Sequence, residues 1–264
     1  MNNISFPYLG ISFDVDPVAA DLPFIGEVHW YGIIIAAGII LALCYCLRVA
    51  KREGVPADNI YDTLIYCLPV AIIMARLYYV VFSWEKYADN PSHIFRIWEG
   101  GLAIYGGIIG AVIAAVTYYK IKKLPVLKMF DICCLGLMIG QCVGRWGNFM
   151  NAEAFGGFCN KFWGMSINGG ECVHPAFLYE SLWNLLGFAI ISKLHKNRPF
   201  SGFTFFSYIS WYGFGRFFIE GIRADSLYFG GIRISQLIAI LCVVIGIAAL
   251  YWLSEKNIAG KGKK

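Results

Sequence analysis

Residues 144–157 read GRWGNFMNAEAFGG, and they follow directly on the apolar run of residues 132–143. Within ten positions this stretch brings Arg145, Asn148, Asn151 and Glu153. A guanidinium is a planar fork that donates two parallel hydrogen bonds to a phosphate and stays charged at any physiological pH. Gln141, Arg145 and Asn148 are spaced i, i+4, i+7, so they share one helix face, and Arg216, Glu220 and Arg223 repeat that spacing further along. Glu180 and Asn184 form a third polar pair at helical spacing. The chemistry these residues suit is the binding of an anion, with arginine in excess over acid.

The same residues have plainer readings. Arg216, Glu220 and Arg223 could form a self-satisfied network along one helix. Tyr31 beside Trp30 fits an interfacial aromatic belt. His174-Pro175 fits the opening of a helix, with proline at its first position. His29, His93 and His195 read as interfacial or loop residues, and no His, Cys and carboxylate spacing suggests a metal. Residues 144–157 are harder to absorb in this way, because glycines and amides at a helix end suit a backbone that leaves helical form around a ligand.

The elements that must position these groups are apolar helices. Hydrophobic residues make up 58% of the 264 and charged residues 15%, with mean hydropathy +0.60. Soluble domains carry about 25% charged residues, so the composition is that of a membrane protein. The net charge of +5 lies in short clusters between apolar runs, a pattern of membrane topology that argues against a nucleic-acid partner. A spanning helix needs about 20 mostly apolar residues. Seven such runs are expected, at about 29–48, 60–83, 101–119, 129–149, 176–194, 203–221 and 232–253.

Basic residues cluster after spans one, three, five and seven: Arg48, Lys51, Arg52; Lys120, Lys122, Lys123, Lys128; Lys193, Lys196, Arg198; Lys256, Lys261, Lys263, Lys264. These are 14 of the 22 basic residues, and with seven spans all fall on one side. The positive-inside rule makes that side cytoplasmic, so the N-terminus is expected outside. The fold class is therefore an all-α integral membrane protein, a single polytopic domain over 1–264. Residues 1–28 are expected as an extracytoplasmic arm without a cleavable signal peptide, and 150–175 as a small extracytoplasmic cap. Gly136, Gly140 and Gly144, and separately Gly106 and Gly110, recur every four residues and suit close helix packing. Cys159 and Cys172 fall in the cap, on the oxidising side in this topology, where a disulfide and two free thiols are both open.

In this arrangement Arg145, Asn148, Arg216, Glu220, Arg223, Glu180, Tyr31 and Tyr105 lie near the outer ends of their helices, and Arg76 lies deeper in span two. An arginine-rich site at headgroup depth points to a phospholipid headgroup. A seven-span transporter or receptor for an anionic solute is the alternative, and it would need a polar path through the inner halves of the spans, which are almost uniformly apolar.

The segment Gly144-Arg145-Trp146-Gly147-Asn148-Phe149-Met150-Asn151-Ala152-Glu153-Ala154-Phe155-Gly156 resembles the signature G-R-x-G-N-F-x-N-x-E-x-x-G of the prolipoprotein diacylglyceryl transferases, matching every fixed position. The resemblance extends to Trp30-Tyr31-Gly32, to Ala75-Arg76-Leu77-Tyr78-Tyr79, to His174-Pro175 with Tyr179-Glu180, and to Arg216-Phe217-Phe218 with Glu220 and Arg223. It implies a multi-pass enzyme of the bacterial plasma membrane. Such an enzyme moves diacylglyceryl from phosphatidylglycerol to the lipobox cysteine thiol of a prolipoprotein signal peptide, releases glycerol phosphate and uses no cofactor or metal. By resemblance, Tyr31, Arg145, Asn148, Glu153 and Arg223 are functional. The expected catalytic set is Arg145, Arg223, Tyr31, Tyr105 and Glu153. The expected substrate-binding set is Arg145, Asn148, Asn151, Gly156, Arg76, Glu180, Arg216 and Glu220. Many members have His-Gly-Gly at the start of span three; Tyr105-Gly106-Gly107 stands here, so a histidine base at that position is excluded. Tyr105, Glu153, Glu220, His174 and water remain open as the base.

Overall fold

The computed structural model describes residues 1–23, 26–224 and 228–261. Phe24 and Ile25 of the arm and Lys263 and Lys264 of the basic tail lie outside the described residues. Seven long helices follow the apolar runs: α1 (Trp30–Arg52), α2 (Ala57–Phe82), α3 (Ile104–Ile121), α4 (Val126–Met150), α5 (Ala176–Lys196), α6 (Phe203–Ile222) and α7 (Ile234–Lys261). Five of them (α1, α2, α3, α4 and α7) are long and apolar enough to cross a membrane. Helices α5 and α6 are the two that carry Glu180, Asn184, Arg216 and Glu220, which dilute their hydropathy.

The chain is not helical throughout. In the N-terminal arm β1 (Asn2–Phe6) and β2 (Ile11–Val15) form a hairpin, and β3 (Val18–Leu22) pairs with β4 (Gly26–His29), which leads straight into α1. β1 also pairs antiparallel with β5 (Ser166–Ile167) in the segment between α4 and α5, with Ile4 opposite Ile167. Short strands β6 (Tyr228–Phe229) and β7 (Ile232–Arg233) precede α7. The buried faces of the β1–β2–β5 sheet contribute Ile4 and Val15 to a core with Met165 and Phe177, against which Phe149, Met150 and Phe155 pack. Arm and cap thus share one small core over the end of α4.

Two compact units can be distinguished, Met1–Cys46 with Phe130–Lys264, and Leu47–Met129. Within the first, small residues set the helix contacts, as expected of the glycine stripe. A Cβ at Gly136 would strike Cys46 Sγ and Ala42 O, and one at Gly38 would touch Gly140, so α1 lies against α4 there. Helices α5 and α6 are clasped by two tryptophans. The Trp183 and Trp211 rings stack at 4.3 Å, and each indole N–H donates to the other's backbone carbonyl at 3.1 Å. Gly215 faces the Trp183 ring and Gly187 the Trp211 ring, positions where any side chain would collide with the indole. At the far end of these helices the buried Asp131 of α4 caps α6. Its carboxylate accepts from the backbone N–H of Gly202 at 2.7 Å and of Phe205 at 2.9 Å, and pairs with Arg198 at 3.3 Å. These are orphan donors of a helix start, satisfied here from another helix. His195 is corrected by this arrangement. It is neither a loop nor an interfacial residue but a buried one, with Nδ1 2.8 Å from Thr204 Oγ1.

In the second unit α2 and α3 pack through Gly106 and Gly110 onto Met74 and Tyr78. Arg76 is buried, and its guanidinium donates to the carbonyls of His93, Ile94, Arg96, Gly100 and Gly101 at 2.5–3.2 Å. The Ala103 N–H adds a bond to Ala75 O at 3.1 Å. The segment between α2 and α3 is therefore folded around one side chain, immediately before the helix turn that carries Tyr105.

Candidate active site

Helix α4 ends in a strained bend. Ala152 and Ala154, on either side of Glu153, have φ of +51° and +57°, in the left-handed region that residues with a Cβ seldom occupy. The Glu153 N–H still bonds to Asn148 O at 3.0 Å. Its carboxylate accepts from Asn148 Nδ2 at 3.0 Å and Asn151 Nδ2 at 3.4 Å. Asn148 Oδ1 in turn accepts from Arg145 at 3.3 Å. A hydrogen-bonded chain thus runs from guanidinium to amide to carboxylate along the bend.

Gly156 continues from the bend into a stitched backbone. Its N–H bonds to His174 O, and Gly157 N–H bonds to Ile222 O, both at 2.8 Å. A Cβ on Gly156 would meet Ile222 O at 2.9 Å and the His174 Cβ. Only glycine fits between the start of α5 and the end of α6, and this stitch sits where Arg223 emerges. Gly147 makes room in the same way for the Tyr31 ring, which packs α1 against the last turn of α4.

The centre of the site is Glu180. Its oxygens pair with Arg145 at 2.6 Å, Arg216 at 2.9 Å and Arg223 at 3.2 Å, so one buried carboxylate gathers guanidinium groups from α4, α6 and the residue just after α6. Arg216 also reaches Glu220 at 2.5 Å. Arg233 donates to the Glu220 carbonyl. Two ties hold the helices at this spacing. The tryptophan clasp fixes α5 to α6. Trp146 Nε1 donates to Ser181 Oγ at 3.2 Å, and that hydroxyl donates to Cys142 O at 2.9 Å, fixing α4 to α5. With Arg233 beside Glu220, four guanidinium groups gather around two carboxylates, which leaves the cluster positive. Each guanidinium has five N–H donors and gives only some of them to the glutamates, so an incoming phosphate could be gripped without dismantling the cluster.

The two arginine stripes therefore meet on one carboxylate instead of satisfying themselves along a single helix. Asn148, Asn151, Glu153, Gly156 and Tyr31 border that cluster or the bend beside it. Arg76 and Tyr105 belong to the second unit, and Arg76 is engaged by the five carbonyls named above. The central place of Glu180 escaped sequence reasoning, as did Arg233 and the Trp146–Ser181 tie; helical spacing shows which residues share a face but not which helices meet. His174 Nδ1 lies 3.1 Å from Tyr179 Oη. Burial, and behind it the charge of Lys161, lowers the His174 pKa from its ordinary value. Cys159 and Cys172 are both free thiols, although the Cys159 N–H bonds to Cys172 O at 2.8 Å.

A family model described as prolipoprotein diacylglyceryl transferase matches residues 17–252. The chain is 47% identical over 263 residues to the phosphatidylglycerol--prolipoprotein diacylglyceryl transferase of Limosilactobacillus reuteri (strain DSM 20016), covering 94% of this chain and 95% of that one. The protein of the same name from Clostridioides difficile (strain 630) is 46% identical over 231 residues, covering 88% and 93%. That of Listeria innocua is 42% identical over 253 residues, covering 92% and 91%.

Proposed function

The chain belongs to the prolipoprotein diacylglyceryl transferase family, and from that premise we propose that it transfers the diacylglyceryl group of phosphatidylglycerol to the lipobox cysteine thiol of a prolipoprotein. The observation that carries the reading is the convergence of Arg145, Arg216 and Arg223 on Glu180 beside the strained bend. The cysteine sulfur attacks the glycerol carbon that bears the phosphate. A C–S bond forms, the C–O bond to phosphate breaks, and glycerol phosphate leaves with the electron pair. Arginines aimed at the leaving oxygen stabilise charge where it grows. A thiol with pKa about 8.5 must lose its proton, and Glu153 is the acceptor favoured by its chain of contacts to Arg145 through Asn148. Tyr31 packs on Gly147 and walls the site, and Asn151 holds Glu153. Arg76 acts at one remove, by ordering the segment that leads to Tyr105.

The proposed setting is the bacterial plasma membrane, with seven spans, the N-terminus outside and the arm and cap forming one extracytoplasmic head. Helices α5 and α6 span in spite of their polar residues, because these pair with one another and face the interior, as ionisable groups within a bilayer must. Reporter fusions are expected to place residue 55 inside and residue 165 outside; opposite labelling at either position would overturn this topology. The transporter alternative gains nothing from the inner polar cluster. Asp131 and His195 are engaged in the α6 cap, and buried Leu135, Met138 and Ile191 lie between them and the arginines along α4 and α5.

The function is tested by thioether formation on a lipobox peptide with phosphatidylglycerol in detergent. Failure of the purified chain to form the thioether would defeat the reading. Tyr105 stands at the position where many relatives have histidine, yet a phenol is a weak general base at neutral pH. Tyr105→Phe is expected to keep activity within about tenfold of wild type in that assay. Complete loss with intact folding would assign the hydroxyl to proton transfer or phosphate binding.

A further inference from the structure

One helical turn inward from the arginine cluster, about 6 Å along the helix axes, the same three helices carry a second polar tier. Gln141 lies four residues before Arg145 on α4, Asn184 four after Glu180 on α5, and Tyr212 four before Arg216 on α6. The lower tier continues to Tyr208, whose ring centroid is 6.1 Å from that of Tyr212 and whose hydroxyl accepts from Gln141 Nε2 at 2.9 Å. Asn184 is 4% exposed. Its Oδ1 and the Oε1 of Gln141 are buried acceptors without a hydrogen-bond partner among the described residues.

Buried carbonyl oxygens of this kind are rarely left unmatched. Two of them, from different helices, sit below a cluster in which guanidinium groups outnumber carboxylates. The complementary ligand is a phosphate that carries hydroxyl donors on a short arm. An ammonium headgroup also offers donors, but it would be repelled by the guanidinium groups a turn away. A headgroup without hydroxyls would leave both acceptors buried and unmatched, the situation in which a polar site discriminates most strongly.

We propose that Asn184 and Gln141 form a diol-reading subsite: they accept the hydroxyls of the headgroup glycerol and so select phosphatidylglycerol among anionic lipids. The proposal rests on the transferase reading above and adds the residues that set its lipid specificity. The phosphate is held above by the arginines, and the glycerol reaches down to the second tier. The two amides orient the leaving group and touch none of the reacting atoms.

The test compares two lipids with identical acyl chains, phosphatidylglycerol and phosphatidylpropanol, which lacks both headgroup hydroxyls. Initial rates of thioether formation on a lipobox peptide are measured for the full chain in detergent. Wild type should prefer phosphatidylglycerol by at least about tenfold in kcat/KM. Asn184→Leu, which keeps the side-chain shape, should narrow the ratio to within about threefold by lowering the phosphatidylglycerol rate and sparing the other. Gln141→Met, measured in parallel, should narrow it as well. Because each ratio comes from one preparation, partial misfolding cancels. Free glycerol 1-phosphate should inhibit wild type more strongly than propyl phosphate does, and Asn184→Leu should lose that difference, which separates recognition of the headgroup from recognition of the acyl chains. Equal use of both lipids by wild type, or an equal slowing of both in the variants, overturns the subsite and leaves the transferase reading standing. No transfer from either lipid by wild type overturns both.

Discussion

Replacing Glu180 with glutamine is expected to lower the thermal midpoint and the turnover together, and a second change should separate the two losses. The Glu180 side chain is 5% exposed and holds three guanidinium groups from three places in the chain. Removing one partner of a buried ion pair costs about 3–5 kcal/mol, mostly through the charge left behind. The arginines here are 11–27% exposed, so water offsets part of that and the lower end, about 3 kcal/mol, is expected. Glutamine keeps the shape and one acceptor oxygen but turns an N–H pair toward a cation. The three guanidinium groups then lose their common counter-charge and move apart, with Arg216 still paired to Glu220. A displacement of about 1 Å in positioning groups lowers rates by about 100-fold, and a loss of that size in turnover is expected. Adding Arg216→Gln removes one of the stranded charges while keeping a donor for Glu220. It should restore part of the midpoint and none of the turnover, because the phosphate grip is weakened further. A Glu180→Gln protein that melts like wild type and turns over within a few-fold of it would show that the arginines hold their places without this carboxylate.

The helices were legible in the sequence because each is a long apolar run closed by basic residues or by a glycine- or proline-containing turn. Their observed limits fall within a few residues of those read from composition, apart from α7, which runs on to Lys261. The arm and cap were legible only as segments too polar to span. That they are strands could not be read, since β5 is two residues long and its partner β1 lies more than 160 positions away in sequence. Short pairings of high sequence separation leave no periodic trace.

The site divides in the same way. The faces of α4 and α6 could be read from i, i+4, i+7 spacing, and the bend from its glycines and amides. The choice of Glu180 as the meeting point depends on the Trp183–Trp211 clasp and on the Trp146–Ser181 tie, and these involve backbone carbonyls and a hydroxyl without any sequence signature. Arg76 illustrates the limit. A buried arginine in an apolar helix reads as a ligand-binding charge, yet five carbonyls of the segment that follows α2 take up its donors. Asp131 lay inside an expected span with nothing to mark it, and its partners Gly202 and Phe205 are more than 70 positions away.

Arg145→Ala is expected to reduce turnover far more than lipid affinity. Arg145 binds Glu180 at 2.6 Å and Asn148 at 3.3 Å, so it connects the arginine cluster to the bend that presents Glu153. If it acts on charge developing at the leaving oxygen, its loss resembles the loss of an oxyanion donor and costs about 2–4 kcal/mol of barrier, roughly 30- to 1000-fold in rate. Ground-state binding of phosphatidylglycerol retains Arg216 and Arg223, so KM should move little. Arg145→Lys keeps the charge but gives up the fork that serves phosphate and Glu180 at once, and it should fall between alanine and wild type. Arg223→Ala should behave like Arg145→Ala, since both guanidinium groups meet the same carboxylate and, in the proposed reaction, act on the same leaving group. The double variant should then lose less than the product of the two single losses, because residues that share a partner are not independent. The readout is the initial rate of transfer to a lipobox peptide at saturating phosphatidylglycerol, with the thermal midpoint measured on the same samples. Turnover by Arg145→Ala within a few-fold of wild type would mean that the signature around it serves folding and that the leaving phosphate is stabilised elsewhere.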